Sequence, residues 1–219
     1  MSTTGLINTG LKTTGFYWHE RCFWHDQGAI GIFSTPGAFQ QPQPASESPE
    51  TKRRLKNILE VSGLIDELQV VKPSAATEQD LLRFHTPRYL KMLAEADASG
   101  GGNGGDCAPF TSGSWAAAQQ SAGLAVAAVE DVALGNVTNA YALCRPPGHH
   151  AEADQGRGFC LLGNIPVETD LLFPNPLPKN WDQLRNEVIE RWLYREVSGL
   201  SHDAPLAEQI HAWVLQKGE

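Results

Sequence analysis

An alanine-rich stretch from Ser114 to Val132 meets a stop at Gly135-Asn136. It is followed by an apolar run, Ala140 to Cys144, cut off by Arg145-Pro146-Pro147-Gly148. This succession constrains the fold more than any other feature. Leu124, Ala128 and Val132 recur at helical spacing, so the stretch is predicted as a helix, ended where glycine favours a left-handed turn. The run after it is apolar on both faces, as expected of a buried parallel strand, and paired prolines cannot continue one. A helix feeding such a strand implies an α/β architecture. In α/β folds ligands gather beyond the carboxyl ends of the strands. Here that position is held by His149 and His150.

The remaining elements fit the same class. Gly15 to His19 is short and aromatic and reads as a strand, whereas Gln40 to Pro49 turns to Pro, Gln, Ser and Glu and reads as an exposed connection. Ser48 is placed to cap a helix whose apolar side is Leu55, Ile58, Leu59 and Leu64 or Ile65. Lys52, Arg53, Arg54 and Lys56 form its solvated face. Leu68 to Val71 is a β-branched strand, and Glu78 to Phe84 and Pro87 to Ala96 are helical turns separated at Pro87. The run from Ser99 to Asp106 holds too many glycines for a regular element and is predicted as a flexible surface loop. It lacks the Lys-Ser/Thr ending of a phosphate-binding loop.

Composition narrows the partners. With 25 acidic against 17 basic side chains the formal charge is −8, which argues against nucleic acid, whose phosphates are bound by clustered Lys and Arg. The longest purely apolar stretches, such as Leu124 to Val129, fall far short of the roughly 20 residues of a membrane span. No signal-like block opens the chain, so a cytoplasmic address is expected. Cys22, Cys107, Cys144 and Cys160 form no close pair of the zinc-knuckle or redox type and read as reduced thiols.

Two adjacent histidines are by themselves either a hydrogen-bonded loop pair or a catalytic pair. Their surroundings carry more. Arg145-Pro146-Pro147-Gly148-His149-His150-Ala151 followed by Gly158-Phe159-Cys160-Leu161-Leu162-Gly163-Asn164 resembles the signature of the zinc-dependent histone deacetylases, and in particular their bacterial amidohydrolase and acetylpolyamine-hydrolase members. Trp18-His19-Glu20-Arg21-Cys22, Arg54 to Leu59, His85-Thr86-Pro87-Arg88-Tyr89 and Gly113-Ser114-Trp115 add to the resemblance, which covers residues 15 to 167.

The resemblance implies an arginase/deacetylase-like parallel sheet, here truncated to its first strands. It also implies an activity, hydrolysis of acetyl-lysine or acetylpolyamine amides. His149 and His150 would lie at the base of a tunnel, one as general base and the other as its electrostatic or acid partner. An imidazole near its ordinary pKa of about 6.5 can serve either role. Gly158 and Phe159 would line the substrate stem, Phe159 being otherwise a plain core aromatic. Asp106 would grip the substrate at the rim, or else be a loop aspartate without a role.

The family's zinc is held further along by an aspartate with a histidine two residues later and by a second aspartate, and a tyrosine after two glycines follows. None of these patterns occurs in this chain: no aspartate has a histidine at that spacing, and no tyrosine follows a Gly-Gly pair. Zinc is therefore the family's cofactor but is not expected to be bound by this chain, and no metal ligand is assigned. The chain divides into a flexible start (1–14), a partial deacetylase-like domain (15–167), a proline-rich linker (168–180) and a helical tail (181–219). The reading is a deacetylase-family protein whose metal-binding half is missing, inactive as it stands. The alternative is a non-catalytic acyl-binding or interaction protein, self-associating through an exposed sheet edge or the tail helices.

Overall fold

The structure, a computed structural model, describes residues 14–28 and 47–167. The expected linker and tail helices after Val167 lie outside the described residues, as does most of the connection before Ser48.

Three strands form a parallel sheet in the order β2-β1-β6: β1 (Thr14–Tyr17), β2 (Gln69–Val71) and β6 (Asn139–Ala142). Alternation of side chains across β1 divides the core in two. Tyr17 faces a layer with Cys22, Leu124 and Ala128, contributed in part by α4 (Ser114–Ala133). Phe16 faces the opposite layer, with Phe23, Leu143 and the apolar side of α1 (Pro49–Val61). Helices thus cover both faces, and the chain has the parallel α/β architecture expected from the sequence. Among the described residues no helix is long and apolar enough to cross a membrane.

Ser48 caps α1 by accepting the Glu50 N–H, as the sequence indicates. The helix ends at Val61, before Leu64 and Ile65, because Gly63 turns left-handed, and its apolar stripe is narrower than expected: Leu55 and Leu59 pack inward, as does Ile65 in the short turn beyond, whereas Ile58 is 56% exposed. Its basic face is also not simply solvated. Arg53 lies over the ring of Phe23, and Lys56 over that of Trp18. Long basic stems cover aromatic surface while their charged heads remain in reach of water.

Beyond the sheet, a second and larger core joins α2 (Glu78–Leu81) and α3 (Pro87–Ala98) to the buried flank of α4 and to the 151–163 segment. Leu81, Phe84, Tyr89, Leu93, Ala122, Leu161 and Leu162 fill it. The glycine run corrects the sequence reading. Instead of a flexible loop it forms β3 (Gly101–Asn103), antiparallel to β5 (Pro109–Thr111), and β4 (Gly105–Asp106), parallel to β7 (Gly156–Arg157). Glycine is required at Gly101 and Gly105 because both have positive φ and lie against partner backbone, so the run is a close-packing device.

The strand from Ala140 is parallel as expected but is not buried on both faces. Tyr141 is 51% exposed, because β6 ends the sheet among the described residues. The four cysteines are free thiols.

Candidate active site

The segment after β6 is anchored before it reaches the histidines. Arg145 is buried, and its Nη1 donates to the carbonyl of His25 at 2.6 Å and to those of Cys22 and Phe23 at 3.3 and 3.4 Å. Its Nε meets Glu47 Oε2 at 3.0 Å. Lys52 holds the other Glu47 oxygen at 2.9 Å. On the helix side, the Ser121 hydroxyl donates to Pro146 O at 2.8 Å and accepts from Asn164 Nδ2 at 2.9 Å. One arginine and one serine therefore fix the double proline from opposite sides.

The His149 and His150 rings come next, with centroids 4.2 Å apart and planes 54° apart. His149 is exposed in part and lines an open cleft of about 340 Å³ beside Tyr141, Cys144 and Asn164. Partial removal from water, and then the neighbouring His150, hold its pKa below the ordinary imidazole value. The arrangement favours a neutral imidazole at His149, able to accept a proton.

The chain then bends back on the pair. The His150 amide donates to Cys160 Sγ at 3.4 Å, and a methyl placed on Gly158 would come 2.8 Å from His150 Cδ2. Burial raises the Cys160 pKa, so its sulfur is a thiol serving the backbone. Asp106 reaches this bend through β4: Gly158 N–H donates to Asp106 O at 2.9 Å and Phe159 N–H to Cys107 O at 2.7 Å. Of the residues singled out from the sequence, Gly158 and Phe159 lie on this bend, His150 packs against Gly158 with His149 beside it, and Asp106 is joined through a backbone bond from Gly158. Phe159 is half-buried and adopts a positive φ of 69°.

Three contributors were not singled out from the sequence. Arg157 lies 3.6 Å from the Asp106 carboxylate and 2.8 Å from that of Glu152, a cation that the pairing of β7 with β4 brings beside Asp106. The sequence marks Arg145 only as part of a motif, and His85, buried behind the bend, only within His85-Thr86-Pro87. A basic residue between apolar strand and double proline, and a histidine between Phe84 and a capping threonine, were the available signals.

Comparison with known proteins decides the lineage. Residues 45–174, more than half the chain, match the histone deacetylase domain model. The chain belongs to the histone deacetylase family. It is 45% identical over 159 residues to a histone deacetylase-like amidohydrolase of Pseudomonas aeruginosa, and 33% identical over 159 residues to histone deacetylase 8 of Arabidopsis thaliana. In both cases 71% of this chain and 42% of the relative are covered. Among solved structures, the HDA15 HD domain superposes with a TM-score of 0.64 at 26% identity, covering 73% of this chain and 43% of that one. The chain therefore spans less than half the length of these relatives.

Histone deacetylases use zinc, and the described residues of this family member do not by themselves fit that ion. No three His, Cys, Asp or Glu side chains among them converge on one point. The thiol nearest His150, that of Cys160, is buried and held protonated, whereas zinc takes a thiolate.

Proposed function

We propose that this chain carries the paired-imidazole and substrate-lining portion of an acetyl-amide hydrolase site, with acetyl-lysine or acetylpolyamine amides as the substrate class, and that alone it neither holds stoichiometric zinc nor turns over. The observation that carries the reading is the packed His149-His150 pair with the Gly158-Phe159 bend folded against it. In this role a neutral His149 accepts a proton from the attacking water and His150 supports the charge that develops. Gly158 and Phe159 flank the acyl stem, and Asp106, braced by Arg157, meets the substrate's amide at the rim.

In zinc hydrolases the metal supplies a water acidic enough to attack and polarises the carbonyl. That contribution requires donors that neither the described residues nor the sequence patterns of this chain provide. The same facts favour a second reading, an acyl-binding protein without turnover, which self-associates through the edge of β6 that has no strand partner among the described residues. Incubating the purified chain with acetyl-lysine peptide and with acetylated polyamine, while titrating the same ligands calorimetrically, separates the two. The account predicts no turnover above background. Binding without turnover would favour the second reading, and turnover would contradict the first.

A further inference from the structure

His85 connects the end of the α2 turn to the start of α3, and its ring is 2% exposed, between Phe84 and Tyr89. Nδ1 lies 3.2 Å from Ala153 O, and Nε2 lies 2.9 Å from Gly163 N. A carbonyl oxygen only accepts and an amide N–H only donates. The proton is therefore on Nδ1, and Nε2 is bare and accepts from Gly163. An imidazolium would set one N–H against another.

Ala153 and Gly163 bracket the bend that carries Gly158, Phe159 and Cys160. The segment is tied to itself: Glu152 N–H, just before the bracket, donates to Gln155 O, and within it Arg157 and Cys160 exchange backbone bonds. Fixing both ends therefore fixes the whole bend against the histidines. The two ends are not equally dependent on the ring, because Ala153 O also accepts from Thr86 N–H at 2.9 Å. Among the described residues the Gly163 amide has only the imidazole.

From this we infer that His85 is a positioning residue, which clamps both ends of the 153–163 bend from behind and so holds Gly158 against the His150 ring. The inference rests on the role proposed for the His149-His150 pair. Its test reads geometry instead of turnover, so a negative activity result leaves it standing, and its own failure leaves the activity reading standing.

The test is NMR on the ¹⁵N-labelled chain, alone and with His85→Asn or His85→Gln. Asparagine can keep a donor toward Ala153 but cannot reach Gly163, whereas the longer glutamine can present its carbonyl to the Gly163 amide. The expected results are a neutral Nδ1–H His85 in the parent, about tenfold faster hydrogen exchange at Gly163 in H85N with Thr86 unchanged, and a shift of the His150 ring signals. H85Q should restore most of the Gly163 protection. An Nε2–H tautomer in the parent, unaltered Gly163 exchange in H85N, or equal loss in both variants would overturn the proposal. If H85N does not fold, the parent tautomer and the H85Q exchange decide it.

Discussion

At Gly158 the chain has a φ of +50° and lies against the edge of the His150 imidazole. Both facts tell against any side chain there. Left-handed backbone costs a residue with a Cβ about 1–2 kcal/mol, and the added methyl must also displace the ring. Gly158→Ala is expected to lower stability by about 1–2 kcal/mol and to move the His150 signals, which thermal melting and NMR would record. Buried imidazoles add a pH dependence. Burial lowers the pKa of both His25 and His85 to about 4 from the usual 6.5; Arg145 adds to the lowering at His25. Between those values the unfolded chain takes up protons that the folded chain refuses. Stability should thus be level with respect to these groups above pH 6.5 and fall as pH drops toward 4, by roughly 1.4 kcal/mol per pH unit for each ring. Urea midpoints at pH 7.5 and pH 5 measure it; equal midpoints would contradict buried neutral rings.

Among the elements, the segment after β6 depends on Arg145 more than on its own sequence. Removing that guanidinium leaves four backbone carbonyls, those of Cys22, Phe23, His25 and Glu47, with one donor fewer, and the Glu47 carboxylate with only Lys52 among the described residues. Losing one partner of a buried pair commonly costs 3–5 kcal/mol. Because Lys52 remains, Arg145→Met is expected to cost about 3 kcal/mol, with part regained in the Arg145→Met/Glu47→Gln double variant. Denaturant unfolding of the three proteins tests this. The sequence made much at this scale legible. Periodicity and turn signals identify α1, α4 and the strands β1, β2 and β6 because local propensity and tertiary packing agree there. The glycine run could not be read, because its two short strands are created by partners at Pro109–Thr111 and Gly156–Arg157 that only the fold brings near. Ile58, Leu64 and Tyr141 likewise look internal by pattern, but each is about half exposed.

For the molecule as a whole, the site is a bend with its brace. His149 and His150 were legible because the motif around them is dense. Arg145 and His85 act through backbone atoms far along the chain, Glu47 through the distant Arg145 side chain, and no local spacing reveals that. The chain spans 42% of its amidohydrolase relative, and the described portion supplies paired imidazoles without a converging donor set for zinc. The most direct measurement is the zinc content of the purified full chain, by elemental mass spectrometry after equilibration with zinc and removal of the excess. The account predicts far less than one zinc per chain; a tightly held ion at one per chain would contradict it.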